Sequence, residues 1–341
     1  MSSRALDKIE EINHSFSNTP LVTIIVSING AVKRIYGKYE AVGFTGSGKD
    51  RMARFIVGNA YKEGTIKQGD YIVETSSGNA GIALAALGAT IGNPVKIFIP
   101  DWMSKERYKT LELYGAEVVC VSDAEGGFVG CLEKTQKLGK QNGYFTTNQF
   151  GNKLNIDAQF STTMTEFFKL LEKKEVEPSC FVAGYGTGGI IMAASKMVKR
   201  LNINCTVHPL EPDTMPLLSQ NRKFKIEGEM HKIEGIVDDF VPDILKIKDL
   251  NEPVVINEND VMQIAQKINR YGLSFGISSG ANLLGCIAQM VKDNTNTAAT
   301  VFCDGCNKYY STDLFNTLSK NKESEMVSKI EVLDIKVSKD T

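Results

Sequence analysis

The chain has 341 residues, 42% of them hydrophobic, which is enough to bury a sizeable core and suggests about two domains. Its 39 lysines and arginines balance 40 aspartates and glutamates, so no net field points to nucleic acid or an anionic membrane. No apolar stretch reaches the length of a membrane span, and the N-terminus carries acids where an export signal would be apolar; a soluble, cytoplasmic small-molecule enzyme or binder is expected.

Residues 1–14 are polar and helix-permissive, and read as an N-terminal surface arm. After the turn signal Ser17-Asn-Thr-Pro20, the β-branched run Leu21–Val26 predicts a strand. The stretch Lys38–Arg51 then sets Lys49 on a glycine-rich turn (Gly43, Gly46, Gly48) ahead of the amphipathic run Met52–Tyr61. Two chemistries use a lysine so placed. Gly43 to Asp50 reads G-x-x-x-x-G-K-D, one residue from a nucleotide phosphate loop, but a carboxylate stands where a hydroxyl should hold Mg²⁺. The other is condensation of the amine with the aldehyde of pyridoxal 5′-phosphate.

From Tyr71 onward short apolar runs alternate with helical stretches. Strands are predicted at Tyr71–Glu74, Val95–Ile99, Val118–Val121 and Tyr144–Thr147, with helices over Ala80–Leu87, Lys105–Tyr114 and Phe128–Leu138 between them. Strands separated by single helices imply parallel pairing. Phe150–Asp157 reads as a joint, a helix over Phe160–Leu171 follows, and alternation resumes at Cys180–Ala183, Thr206–Leu210, Pro253–Ile256 and Thr300–Phe302. Asn257 caps a predicted helix over Val261–Tyr271. Residues 316–341 form a charged C-terminal tail with one apolar patch, Ile330–Val337, that could add an edge strand.

Five motifs fall in one order: Ser17-Asn-Thr-Pro-Leu-Val22, Lys49 on its turn, Thr75-Ser-Ser-Gly-Asn-Ala-Gly81, Gly184-Tyr-Gly-Thr-Gly-Gly189 and Gly276-Ile-Ser-Ser-Gly280. In this the chain resembles the cysteine synthase and cystathionine β-synthase family, fold type II enzymes that use pyridoxal phosphate, over residues 15 to 315. The resemblance implies two three-layer α/β domains with mostly parallel sheets, like the tryptophan synthase β subunit. Residues 35–150 would form the smaller, and 15–34 with 151–315 the larger.

The resemblance also distributes roles. Lys49 would hold the cofactor and then take the substrate α-proton. Gly186, Thr187, Gly188 and Gly189 would cup its phosphate, where loop amides and a helix N-terminus suit a dianion. Asn79 would meet the ring hydroxyl and Ser278 the ring nitrogen. Ser76, Ser77, Gly78, Asn79 and Gln149 would grip the substrate carboxylate, although Ser77 and Asn79 could equally be helix caps. A neutral hydroxyl at the ring nitrogen makes a weaker electron sink than an acid would, which favours loss of a β-substituent over racemisation. The expected reaction is β-replacement or β-elimination on a β-substituted L-alanine (O-acetylserine, O-phosphoserine, serine or cysteine) through an α-aminoacrylate. Cysteine synthesis from sulfide leads, and a cysteine lyase releasing hydrogen sulfide to water or a thiol acceptor is the alternative. A homodimer is implied by the family alone.

The chain departs from the family pattern at several places. Ile190 and Ala80 replace threonines, Gly43-Phe44 replaces Asn-Pro, and Thr162-Thr-Met-Thr165 replaces Thr-Thr-Gly-Pro. In Gly235-Ile-Val-Asp-Asp-Phe-Val-Pro242, Val237 and Asp239 take two glycine places, and Asp238 or Asp239 could act as a base or be a solvated loop carboxylate. The changed loops also admit a non-catalytic homologue that binds an amino acid or a partner's C-terminal peptide. Gly184–Gly189 satisfies a dinucleotide-binding G-x-G-x-x-G, with Glu211 as its ribose acid. Cys303-Asp-Gly-Cys306 could be redox active, but no second Cys or His pair completes a zinc site, and the three histidines show no metal spacing; no metal is expected.

Overall fold

The structure, a computed structural model, describes residues 2–76, 78–101, 103, 105–316 and 323–339. The chain opens with α1 (Ser2–Glu11), β1 (Leu21–Ile28), β2 (Ala31–Tyr39) and α2 (Lys49–Glu63). Next come β3 (Tyr71–Thr75), α3 (Asn79–Ile91), β4 (Val95–Pro100), α4 (Lys105–Leu113), β5 (Glu117–Val121), α5 (Gly127–Gly139) and β6 (Tyr144–Thr146). A helical passage follows: α6 (Leu154–Gln159), a π-helical turn (Phe160–Met164) and α7 (Thr165–Lys173). The remainder comprises β7 (Cys180–Gly184), α8 (Gly189–Leu201), β8 (Thr206–Pro212), β9 (Val254–Ile256), α9 (Glu258–Asn269), α10 (Ile277–Lys292), β10 (Thr297–Phe302), α11 (Glu325–Ser328) and β11 (Ile330–Ser338).

The strands form a seven-stranded sheet, ordered β11-β1-β2-β10-β7-β8-β9, and a four-stranded sheet, ordered β5-β4-β3-β6. All pairs in the smaller sheet are parallel, and in the larger only the β1 pairings with β2 and β11 are antiparallel. The expected α/β architecture with mostly parallel sheets is therefore present. Strands covered by helices on both faces read as apolar runs, which is why Cys180–Ala183, and Val95–Ile99 apart from Lys96, were legible without strict alternation. Asn257 caps α9 as its spacing predicts, its Oδ1 accepting from Asn259 N at 3.0 Å and Asp260 N at 3.4 Å.

Two expectations are corrected. The N-terminal arm is not a free surface segment: Ala5 and Ile9, one helical turn apart, are buried with Ala53 and Val57 of α2 in the core of the smaller sheet. The boundary placed at residue 35 falls inside β2, which belongs to the larger sheet. Its lysines hid the strand, yet Lys38 is buried, donates to Thr19 O and pairs with Glu166 at 2.9 Å. The edge strand expected from the apolar patch of the C-terminal tail is present: it is β11, which joins the larger sheet by pairing with β1.

Candidate active site

The carboxyl ends of β3, β6, β7 and β10 open onto one cavity, the usual ligand position in parallel sheets. Lys49 enters it as the first residue of α2. The preceding turn needs Gly46 at φ +79°, and Asp50 staples it by accepting from Thr45 N at 2.8 Å and from Thr45 Oγ1. Arg51 anchors the helix start, bonding Glu40 at 2.7 Å and Glu166 at 2.7 Å while almost wholly buried. Lys49 Nζ donates to Thr187 Oγ1 across 3.2 Å. Burial lowers the pKa of this amine, with the Asp238 carboxylate acting against the shift. Asp50, at the hydroxyl position of a phosphate loop, turns into its own turn and is not part of the cavity wall.

The loop Gly184–Gly189 closes the opposite wall. Gly186 (φ +30°) and Gly188 (φ +85°) take left-handed conformations, and a Cβ on Gly186 would lie 2.5 Å from Gly235 O. On Gly189 it would lie 2.2 Å from Asn155 Oδ1. These glycines let the backbone crowd together so that the N–H groups at the head of α8 face the cavity end. Asn155, from the segment read as a joint, donates to Thr187 Oγ1 at 3.0 Å and Gln149 O at 2.9 Å, tying this loop to the end of β6. Glu211, the acid of the dinucleotide reading, is buried and accepts from Leu218 N at 2.9 Å and Ser219 N at 2.8 Å. Its oxygens are spent on a turn of the chain.

At the head of α3, Ser76 Oγ accepts from Gly78 N at 3.1 Å and Gly81 N at 2.9 Å, so Ser76 supplies the capping role considered for Ser77 or Asn79. Ser77 lies outside the described residues. Gln149 Nε2 donates to Thr75 O at 2.8 Å, while its Oε1 is buried without a partner. Asn79 bonds Asp304 Oδ2 through Nδ2 and Lys308 Nζ through Oδ1, both at 2.8 Å. Ser278, near the start of α10, completes the wall beside Cys303.

The two loop aspartates separate. Asp239 pairs with Lys225 at 3.0 Å, away from the cavity; Asp238 lines the cavity with Lys49. Burial pushes the Asp238 carboxyl up to about 6, opposed by Lys49. His231 holds this loop, bonding Val237 O at 3.0 Å through Nε2 and accepting from Ile233 N at 3.2 Å through Nδ1. Above them Arg107 of α4 pairs with Glu234 across the mouth, its guanidinium lying over Gly78.

Thus Lys49, Ser76, Gly78, Asn79, Gln149, Gly186, Thr187, Ser278 and Asp238 share one cavity, with Gly188 and Gly189 behind it at the head of α8. Arg107, Asn155, Glu234, Asp304 and Lys308 reach the site through space and carry no local motif that marks them in the sequence. All seven cysteines are free; burial pushes the Cys303 thiol up to about 12, a poor nucleophile. Among the described residues no group of three or more His, Cys, Asp or Glu is placed to hold a metal, and no helix is long and apolar enough to cross a membrane. The residues present fit pyridoxal phosphate: a desolvated amine, a glycine cradle no Cβ could enter and a helix N-terminus for the phosphate.

Comparison with known proteins agrees with this geometry. The family described as pyridoxal-phosphate dependent enzyme matches residues 12–304. A cysteine synthase of Staphylococcus aureus is 32% identical over 319 residues, covering 93% of this chain and 99% of that protein. Cysteine synthase B of Campylobacter jejuni is 32% identical over 309 residues, with 90% and 98% covered. Among solved structures, a hydrogen sulfide-producing enzyme of Fusobacterium nucleatum has a TM-score of 0.89 at 38% identity, covering 96% of this chain and 98% of that one. A cysteine synthase of Entamoeba histolytica has a TM-score of 0.79 at 30% identity, with 93% of each chain covered.

Proposed function

Because the chain belongs to the pyridoxal-phosphate dependent enzymes, within the cysteine synthase family, we propose that it breaks the Cβ–X bond of a β-substituted L-alanine and adds a nucleophile in its place. The observation that carries this reading is the desolvated Lys49 amine, 3.2 Å from Thr187 of the glycine cradle and facing the Ser76–Asn79 loop. When bound, the cofactor supplies an aldehyde for an amine and an electron sink that acidifies the substrate Cα–H.

The chain's own residues do the rest. Lys49 would hold the cofactor through its aldehyde carbon, and Nζ would serve as the base for the substrate α-proton. Gly186, Thr187, Gly188 and Gly189 would hold the phosphate, Asn79 the ring hydroxyl and Ser278 the ring nitrogen. Gly78, Gln149 and the N–H groups at the head of α3 hold the substrate carboxylate; Ser76 shapes this loop, since its hydroxyl already serves two backbone N–H groups.

Asp238 favours one direction within this chemistry. Sulfide needs little help to attack, whereas water needs a base, and a desolvated carboxylate inside the cavity is one. In that direction L-cysteine and water give L-serine and hydrogen sulfide: the Cβ–S bond breaks, a Cβ–O bond forms, and Asp238 takes the proton of the attacking water. The similarity to a hydrogen sulfide-producing enzyme of Fusobacterium nucleatum supports the same direction.

The test is sulfide release from L-cysteine beside cysteine formation from O-acetylserine and sulfide, with the cofactor-loaded enzyme, Asp238→Asn and Lys49→Ala. Turnover in either assay, absent in Lys49→Ala, supports the reaction class. Loss of sulfide release in Asp238→Asn with cysteine formation retained supports the lyase direction, and no turnover in either assay contradicts the proposal. A homodimer in the cytoplasm is proposed from the family alone and is checked by sedimentation.

A further inference from the structure

The segment after β10 links parts of the cavity that are far apart in sequence. Gly48 N, in the Lys49 turn, donates to Cys303 O at 3.2 Å. Gly276 N and Ser279 Oγ, flanking Ser278, both donate to Asp304 O at 3.0 Å. The Asp304 side chain is fully buried and its Oδ2 accepts from Tyr309 OH at 2.7 Å and Asn79 Nδ2 at 2.8 Å. Lys308 Nζ closes the set by donating to Asn79 Oδ1 at 2.8 Å. An asparagine amide can present either end to a neighbour, but an ammonium only donates and a carboxylate only accepts. With one at each end, the Asn79 amide has a single orientation, and its second N–H is left for the cavity.

We infer that Lys308 and Asp304 are positioning residues that lock the Asn79 amide with an N–H toward the ring hydroxyl of the bound cofactor. The inference rests on the assignment of Asn79 made above. Asn79 heads α3, beside the smaller sheet, whereas Asp304 and Lys308 follow β10 of the larger one. The clamp therefore crosses the cavity and couples cofactor retention to the fit between the two sheets. Without Lys308, Oδ1 loses its donor and the amide can turn an acceptor toward the ring oxygen.

The test is titration of apoprotein with pyridoxal phosphate, followed by visible absorption and intrinsic fluorescence, for wild type, Lys308→Met, Lys308→Arg and Asp304→Asn, with the apoprotein Tm of each. Losing one charge-assisted bond to a cofactor ligand should weaken binding about tenfold or more and move the visible band in Lys308→Met. Lys308→Arg, which keeps a cationic donor, should recover most of both. Where Lys308→Met does not fold, Lys308→Leu, which also lacks a donor, carries the same comparison. A Lys308→Met protein with wild-type affinity and band overturns the inference, as does a change confined to Tm. A wild type that forms no band at all contradicts the cofactor reading itself, so the two failures are distinct.

Discussion

Lys49 Nζ and Thr187 Oγ1 meet at 3.2 Å, joining the turn that precedes α2 to the turn that precedes α8. Two segments of one chain, each a glycine turn ahead of a helix, place an amine and an anion cradle on facing walls. The reaction class follows from that pairing, and consequences of the surrounding contacts can be measured.

Asp238 sets a pH limb. Its carboxyl is pushed up to about 6, so the base is ionised only above that pH. Sulfide release from L-cysteine should rise through pH 6 and level off above it, and Asp238→Asn should lower the plateau and abolish the limb. The linkage to stability has the opposite sign. Between the unfolded carboxyl's ordinary range and 6 the folded state binds the extra proton, so stability falls as pH rises across that window. Asp238→Asn should therefore raise the apoprotein Tm at pH 8 relative to wild type and leave it little changed at pH 4.

Gly189 has no room for a side chain. A Cβ would stand 2.2 Å from Asn155 Oδ1, and Asn155 holds both Thr187 and Gln149. Gly189→Ala should cost about 1–3 kcal/mol in denaturant unfolding and weaken cofactor binding, since the neighbour that must move also braces the cradle.

Arg51 carries the heaviest stability cost. It is 1% exposed and bonds Glu40 and Glu166, with Lys38 on Glu166 as well. Removing one member of a buried charge cluster strands its partners, so Arg51→Met should destabilise the chain by about 3–5 kcal/mol, measured by denaturant unfolding of the apoprotein. A smaller loss in Glu166→Gln is expected, because that carboxylate is partly exposed.

The mouth ion pair makes a prediction about substrate entry. Arg107 and Glu234 bridge the two walls above Gly78. Glu234→Gln removes a negative charge from the mouth beside Gly78 and Asn79, so KM for L-cysteine, whose carboxylate is anionic, should fall several-fold while kcat changes less. A rise in KM in steady-state sulfide release would show that the pair holds the loop in its working shape instead.

Much of this was legible in the sequence, for identifiable reasons. β3 with α3 and β7 with α8 each combine an apolar run, a glycine turn and a helical period, so strand, ligand loop and helix announce one another. β2 was hidden because Lys33, Arg34 and Lys38 look solvated, whereas Lys33 donates to Thr295 O at 2.6 Å and Lys38, itself buried, pairs with Glu166. α10 was visible only as a short motif, since it is apolar on nearly every side and lacks a polar face to give it a period. Asp304 and Lys308 had no signal at all: their role comes from Asn79, which reaches them only once the sheets are packed. Asp238 and Asp239 were equivalent as letters, and only burial and the Lys225 contact distinguish them.

The most direct test is the visible absorption spectrum of the cofactor-loaded protein, recorded alone and with L-cysteine, O-acetylserine, O-phosphoserine and L-serine in turn, beside Lys49→Ala. A visible band that depends on Lys49 and moves to longer wavelength with at least one of these amino acids is the predicted result. A band untouched by all four, or unaffected by loss of Lys49, would contradict the account.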